Sequence, residues 1–153
     1  MVCDIGRPTN VAKKATVRVV IVFDWEEVGA VRLSPAGRLE IPPVSAEPGV
    51  YRFRVSNASG TAVYIGESQN LRRRMVGNYA STHTDTTNVR VRGMLLGYLT
   101  EGRDVRLAIV REAVLEVDGE LAPAELKLKD ARLLVENAAL ALARRAGDRI
   151  HNL

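Results

Sequence analysis

Cysteine, histidine and long apolar stretches are scarce in this 153-residue sequence, and each shortage excludes a class of protein. The single Cys3 has no partner for an internal disulfide, and nothing near it in the sequence would activate a catalytic thiol. The two histidines, His83 and His151, are far apart and have no cysteine or carboxylate at ligand spacing, so a zinc site is not expected. No apolar run approaches the ~18–20 residues of a membrane span.

Targeting and nucleotide-binding motifs are missing as well. The chain does not open with a basic segment followed by an apolar one, so no signal peptide is expected and the predicted location is cytoplasmic. It also lacks a Gly-Lys-Ser/Thr phosphate loop, a glycine triplet opening a helix and a Ser-His-Asp arrangement. What is present is an ordinary globular composition, 46% apolar and 26% charged, in a length that suits one domain.

The positive charge is concentrated in one stretch of the chain. The net charge is +4, yet residues 49–92 carry seven arginines and only two acidic residues, Glu67 and Asp85. Every cation in this stretch is arginine, whose planar fork suits phosphate better than the point charge of lysine. The stretch therefore favours a polyanionic partner, with an ordinary solvated basic face as the alternative.

Alternating and β-branched patterns predict strands in the first half of the chain. Residues 16–40 are typical of short strands around a Ser-Pro-Ala-Gly turn, and the proline-rich segment 41–49 is a connector. Residues 51–55 alternate, with Tyr, Phe and Val on one face and arginine on the other. After the turn signal SNASG, residues 62–66 are the returning strand of a hairpin.

The middle of the chain is predicted to hold two helices and another strand. The first helix, capped by a serine or asparagine, carries Leu71, Met75 and Tyr79 on one apolar stripe. A second helix is predicted over residues 89–99, after a loop rich in Gly, Ser, Thr and Asn. Alternation in residues 105–109 then predicts a third strand.

A long helix is predicted at the end of the chain, over residues 124–145, with Pro123 at its start and Gly147 at its end. The fold class is therefore α+β. The expected architecture is a small, mixed, mostly antiparallel three-stranded sheet flanked by helices, with an N-terminal β extension. We divide the chain into residues 1–47, the extension and its connector, and residues 48–153, the main domain.

Two charged residues stand out on the predicted helices. At about 100° per residue, Arg74 lies close to the apolar stripe and borders the core, whereas Arg73 faces water. Residues 133–143 are apolar apart from Glu136 and the asparagine after it, so most faces of this helix are expected to be buried. A carboxylate buried there is costly unless it is paired or binds a cation. The alternatives are that Glu136 is solvated through a gap or pairs with Arg132 four residues earlier.

Two short motifs resemble the signature of the GIY-YIG nucleases. They are GVY at 49–51 and YIG at 64–66, followed by an arginine ten residues after the second tyrosine, Arg74. A glutamate on a later helix, Glu136, and an asparagine beyond it, Asn152, complete the series at fitting distances. The resemblance covers about two thirds of the chain and implies an α+β fold that hydrolyses phosphodiester bonds.

The resemblance implies a site with one divalent ion. Mg²⁺ or Mn²⁺ would be held by Glu136 and otherwise by water and substrate oxygens, while Arg74 grips the scissile phosphate. Tyr51 or Tyr64, with a phenol pKa lowered by neighbouring positive charge, would act as general base. We expect Tyr51 to be the base and Tyr64 to position the water. Asn152 would orient the site by hydrogen bonds.

The resemblance also implies contacts with double-stranded DNA outside these catalytic positions. The stretch TTNVRVRGML is similar to a Thr-Asn-x-Arg stretch of stand-alone and restriction-type members, in which two subunits cut both strands. A homodimer is therefore expected for a restriction-type enzyme, and arginines solvated on a helix surface are the alternative reading of this stretch. The predicted DNA contacts are Arg72, His83, Asn88, Arg90 and Arg92.

Two positions depart from the family pattern. Glu67 stands where members often have Lys or Ser, and it is interpreted as a solvated loop residue, an extra metal contact or a sign of reduced activity. Asn78 stands where members often have His or Tyr, with Tyr79 one residue later. The expected function is a divalent-metal-dependent DNA endonuclease, with restriction-type cleavage as one form. The alternatives are a structure-selective repair or recombination nuclease, or a non-catalytic nucleic-acid-binding module that kept the fold.

Overall fold

The computed structural model of the chain describes residues 13–80 and 85–152 and has nine strands, two α-helices and a π-helix in those residues. The strands are β1 (Val19–Phe23), β2 (Glu26–Leu33), β3 (Leu39–Glu40), β4 (Gly49–Asn57), β5 (Gly60–Ser68), β6 (Asp104–Val110), β7 (Ala113–Val117), β8 (Glu120–Pro123) and β9 (Arg149–Ile150). The helices are the π-helix Arg73–Tyr79, α1 (Thr86–Thr100) and α2 (Lys129–Arg145).

A six-stranded sheet organises the fold, in the order β3-β2-β6-β4-β5-β9. The three strands predicted for the main domain, β4, β5 and β6, are its adjacent antiparallel centre. The sheet is wider than predicted because β2 pairs antiparallel with β6 and thereby joins the N-terminal strands to it. The mixed α+β class is confirmed, and β9, parallel to β5, is the only strand of this sheet paired in parallel among the described residues. The division into residues 1–47 and 48–153 stays a prediction.

A second sheet, of order β1-β7-β8, was not predicted beyond its first strand. Strands β7 and β8 form a hairpin around Asp118 and Gly119, which both have the positive φ that a tight two-residue turn requires. Pro123 ends β8, and α2 begins only at Lys129. The prediction that Pro123 opens the last helix is therefore wrong, because Pro123 pairs with Val114 in the small sheet and residues 124–128 form a turn before the helix.

Two hydrophobic cores lie on opposite faces of the large sheet. Leu71, Met75 and Tyr79 are fully buried in the first core, which α1 also covers, so the predicted stripe is confirmed. The second core lies between the sheet, α2 and the small sheet. Alternating residues of β4 and β5 serve the two cores in turn, as expected for strands covered on both faces.

Helix α2 is less buried than its apolar sequence predicts. Its buried face comprises Val135, Ala139 and Ala143, together with Arg132, whereas three leucines of the same helix are exposed by 38% or more. The prediction that most faces of this helix are buried is wrong, since one stripe alone meets the sheet. No helix in the described part of the chain is both long and apolar enough to cross a membrane.

Candidate active site

The glycines of the two motifs allow a tyrosine ring to cross between neighbouring strands. Tyr51 on β4 is paired directly with Gly66 on β5. A Cβ atom at Gly66 would collide with the hydroxyl and ring of Tyr51, and one at Gly49 would collide with the Val110 carbonyl oxygen. Both glycines are therefore required by close approach, and the ring of Tyr51 can extend over the backbone of β5 toward its outer edge.

Three tyrosines and one arginine meet at this edge of the sheet. The ring centroid of Tyr51 lies 6.2 Å from that of Tyr64 and 5.9 Å from that of Tyr79. The hydroxyls of Tyr51 and Tyr79 are hydrogen-bonded to each other. Arg74 is close enough to interact electrostatically with all three phenols. We call these four residues the tyrosine cluster.

A π-helix brings Tyr79 into the cluster. Its i→i+5 geometry continues at its end, where the Ala80 amide donates to the Met75 carbonyl at 2.8 Å. Arg74 and Tyr79 are also five residues apart, so one π turn aligns them, whereas an α-helix would align Arg74 with Asn78. The sequence showed Tyr79 as a core residue, and its ring is indeed buried. Its hydroxyl, however, belongs to the candidate site. The sequence did not indicate this role, because the side-chain positions had been worked out for an α-helix.

Burial keeps two of the phenols protonated. It raises the pKa of Tyr51 well above its ordinary value, the neighbouring Tyr79 and Tyr64 raise it further, and Arg74 opposes this with a smaller effect. Burial also raises the pKa of Tyr79. The expectation of a lowered pKa is therefore wrong for Tyr51, because this side chain is 1% exposed and desolvation outweighs the nearby positive charge. Tyr64 is the most exposed of the three, at 7%.

Glu136 approaches the tyrosine cluster from α2. Its side chain is half-buried, and its pKa is raised first by burial and then by the negative charge of Glu67, while Arg74 lowers it. Helix α2 and strand β5 thus bring Glu136 and Glu67 close to Arg74, although the three residues are far apart in the sequence. The two predicted charged site residues, Arg74 and Glu136, do converge.

Arg132 pairs with Glu67 and not with Glu136. Its Nε donates to Glu67 Oε2 at 2.5 Å, and its Nη1 donates to the carbonyls of Leu126 and Lys127, each at 3.0 Å. The side chains of Arg132 and Glu67 are 6% and 18% exposed. Glu67 is therefore a fixed, ion-paired residue, and the interpretation as a solvated loop residue is wrong. The alternative in which Arg132 neutralises Glu136 is wrong as well.

Asn152 holds strand β5, which carries Tyr64. Its Oδ1 accepts a hydrogen bond from the Ile65 amide at 3.0 Å, and its Nδ2 donates to the Ile65 carbonyl. The preceding His151 amide donates to the Val63 carbonyl at 2.9 Å, so the chain end continues the ladder begun by β9. The side chain of Asn152 thereby pairs with the backbone between the tyrosine and glycine of the second motif. This is the docked C-terminal end that an orienting role requires.

The predicted DNA-contacting arginines lie near the site but have protein partners. Arg72 is exposed, and its Nε donates to the Val44 carbonyl at 3.3 Å. Arg90 is exposed, and its Nη1 donates to the His151 carbonyl at 3.2 Å. Arg92 is half-buried and also interacts with other groups. Their role in DNA binding stays a prediction.

Asn88 is buried, and His83 lies outside the described residues. The side chain of Asn88 is 4% exposed, and its Oδ1 has no hydrogen-bond partner among the residues that the structure describes. A buried side chain cannot touch DNA, so the predicted contact is wrong for this conformation. The cause is the early start of α1, which Asp85 caps through the amides of Thr87 and Asn88 and which turns Asn88 inward.

The fold is similar to that of a solved phage protein. A structure of a point mutant of bacteriophage T4 EndoII aligns with a TM-score of 0.53 over 78% of this chain and 88% of that chain, at 15% sequence identity. No protein-family model matches the chain, and no curated protein matches it. At this identity the likeness shows the fold: a mixed α+β architecture consistent with the GIY-YIG-like arrangement that the two motifs predicted.

Proposed function

We propose that this protein is a divalent-metal-dependent DNA endonuclease of the GIY-YIG kind. The observation that carries the proposal is that Arg74 interacts electrostatically with both motif tyrosines and also with Glu136, which comes from a separate helix. The likeness to phage T4 EndoII, a nuclease, supports the same class. The local chemistry is a cation and a carboxylate beside phenols, which suits a phosphodiester and the hard metal ion that assists its hydrolysis.

The residues around Glu136 fit Mg²⁺ or Mn²⁺. Burial and Glu67 both disfavour the ionised form of this carboxylate, and a bound cation would relieve both effects. Mg²⁺ commonly takes one or two protein carboxylates and keeps several waters, so a single glutamate suffices. Among the described residues no group of three or more His, Cys, Asp and Glu side chains is arranged to hold a metal. When bound, the ion would act as a Lewis acid beside the leaving 3′ oxygen.

Each residue of the cluster then has a distinct task. Arg74 binds the non-bridging oxygens of the scissile phosphate and offsets the charge that develops on them. Tyr64, the most exposed phenol, orients the attacking water and takes its proton, in place of the Tyr51 favoured by the sequence. Tyr51 remains protonated and fixes Tyr79 through their shared hydrogen bond. Asn152 is a positioning residue, because it touches β5 and not the reacting atoms.

The test is cleavage of supercoiled plasmid DNA in the presence of Mg²⁺ or Mn²⁺. The unchanged protein should convert the plasmid, whereas Glu136→Gln and Arg74→Ala should lose activity by a factor of at least about 10². Arg38→Ala serves as the matched control, since Arg38 is an exposed arginine at the β2–β3 turn. Equal cleavage by all four proteins would exclude this site as the origin of the activity.

The products discriminate between forms of the nuclease. Discrete linear fragments favour restriction-type cleavage of both strands, for which we propose a homodimer, and sedimentation of the protein with DNA would measure this stoichiometry. Selective cutting of branched or nicked oligonucleotides favours a structure-selective enzyme. DNA binding without cleavage, by the unchanged protein with either metal, would favour a non-catalytic module.

A further inference from the structure

An open groove lies along the same sheet edge as the tyrosine cluster. It measures about 730 Å³ and lies between the C-terminal half of α1, the β4–β5 turn and the segment 147–151 that contains β9. Strand β9 pairs with Ala62 and Val63 of β5, so one wall of the groove belongs to the edge strand β9 and to β5, which also carries Tyr64. We call it the β9 groove.

The lining of the β9 groove is positively charged. Arg90, Arg103 and Arg149 come from three separate parts of the chain, and Glu101 is the one carboxylate among the lining residues, giving a net charge of 3 − 1 = +2. Glu101 already accepts a hydrogen bond from Arg103 Nε at 2.8 Å. The pKa of His151 is lowered first by burial and then by Arg149 and Arg90, so the positive charge of both arginines acts on the imidazole that lines the groove.

The floor of the groove has room for an extended polar chain. Gly93 and Gly97 lie one turn apart on α1, and no heavy atom lies within 4 Å of the point where a Cβ would be placed on either. The Tyr98 hydroxyl is hydrogen-bonded to His151 Nε2 at 2.6 Å and fixes the imidazole against the wall. A wide, polar, cationic channel of this kind suits a phosphodiester backbone better than a compact apolar ligand.

The spacing along β5 relates the groove to the reaction centre. Ala62 lines the groove, Tyr64 belongs to the tyrosine cluster, and Gly66 lies under the ring of Tyr51. At about 3.3 Å per residue, two to four residues of strand cover about 7–13 Å. We place the duplex axis along β5, the direction that joins the β9 groove to the tyrosine cluster, and phosphates on one strand then advance by about 3.4 Å each. The groove therefore lies about two to four nucleotides from the position of the scissile phosphate.

We propose that the β9 groove binds the DNA backbone two to four nucleotides from the cut, with Arg149 as its principal phosphate contact. This inference rests on the proposed function and adds a second contact region to it. Arg149 is exposed, belongs to β9 itself and projects from the element that Asn152 anchors. The groove and the catalytic residues thus depend on the same docked chain end, so backbone binding and the alignment of Tyr64 are mechanically connected.

The first test is the salt dependence of DNA binding, measured by fluorescence anisotropy with a labelled duplex of about 30 base pairs and the non-cleaving Glu136→Gln protein. Adding Arg149→Ala should weaken binding for all sequences and reduce the slope of log K against log [salt] by about 1. Adding Arg38→Ala should leave the slope unchanged. Arg38 adjoins β3, at the opposite edge of the sheet and five strand spacings, or about 24 Å, from β9.

The second test locates the contact on the DNA. Once the cleavage position is mapped, single phosphates are replaced by neutral methylphosphonates on each side of it. Replacement at the second to fourth phosphate on one side should weaken binding by the Glu136→Gln protein. It should have no further effect once Arg149→Ala is added to that protein.

Two results would overturn the groove assignment and leave the nuclease proposal intact. One is an equal salt slope for the Arg149→Ala and Arg38→Ala variants. The other is equal sensitivity to the methylphosphonate replacements with and without Arg149→Ala. An unchanged protein that neither binds nor cuts DNA would overturn both proposals.

Discussion

The buried ion pair between Glu67 and Arg132 gives a sharp test of how the site is held together. Glu67→Gln leaves the guanidinium of Arg132, whose side chain is 6% exposed, without its carboxylate. Removing one partner of a buried pair costs about 3–5 kcal/mol, and we expect the lower end because two backbone carbonyls still accept from Arg132. About 3 kcal/mol corresponds to a fall of about 6–12 °C in the melting temperature of a chain of this size.

A double-mutant cycle separates this cost from the net value of the pair. Arg132→Met should also destabilise the fold, but the double variant with Glu67→Gln should lie within about 1–2 kcal/mol of the unchanged protein. Replacing both charges leaves no unpaired ion, only the Leu126 and Lys127 carbonyls without this donor. Urea unfolding followed by circular dichroism measures all four proteins.

The exposed pair Arg106–Asp104 provides the control for this cycle. Its Nε and Oδ2 atoms are 3.4 Å apart, and its side chains are 54% and 62% exposed. Asp104→Asn should therefore change stability by less than about 1 kcal/mol, because solvent screens a pair at the surface. Losses below about 1 kcal/mol for both buried single variants, adding up in the double variant, would refute the reasoning.

Three further predictions concern the motif glycine, the candidate metal ligand and the chain end. Gly66→Ala should cost about 1–3 kcal/mol in unfolding free energy through overpacking against the ring above it, whereas Gly97→Ala, in open space on α1, should gain about 0.5–1 kcal/mol. Glu136 has a raised pKa in the folded state, so its protonation stabilises the fold at low pH and this contribution is lost as the pH rises through that pKa. In the presence of EDTA, Glu136→Gln should melt higher than the unchanged protein at pH 8 and equally at pH 4, and a lower melting temperature at both pH values would contradict this. The Ile65 amide donates its hydrogen bond to Asn152 Oδ1, so Asn152→Ala should remove the protection of this amide from hydrogen exchange. Continued protection would show that the chain end docks without this side chain.

The local elements and the identity of the two charged site residues followed from the sequence. Alternation located β4 and β6, because strands with a buried face repeat every two residues, and the turn signal SNASG located β5 as the returning strand of a hairpin. The stripe through Leu71 and Met75 located the core side of the first helix and, with it, the inward placement of Arg74. The start of α2 was predicted five residues too early, because residues 124–128 form a turn between the strand ending at Pro123 and the helix beginning at Lys129. A composition as apolar as that of α2 also did not reveal which face would be covered.

The details of the site depended on contacts between residues far apart in the chain. The pKa of a phenol depends on how completely the fold removes water from it, so the protonated state of Tyr51 could not be obtained from the arginines that follow it. The partner of Arg132 was decided by β5 passing beside α2, which made Glu67 a closer acceptor than Glu136 one helical turn away. The sequence by itself determined which residues are candidates for the chemistry, because side-chain type and local period are properties of the chain. Only the tertiary structure decided their charge states and partners, since both depend on desolvation and on the π turn that aligns Tyr79 with Arg74.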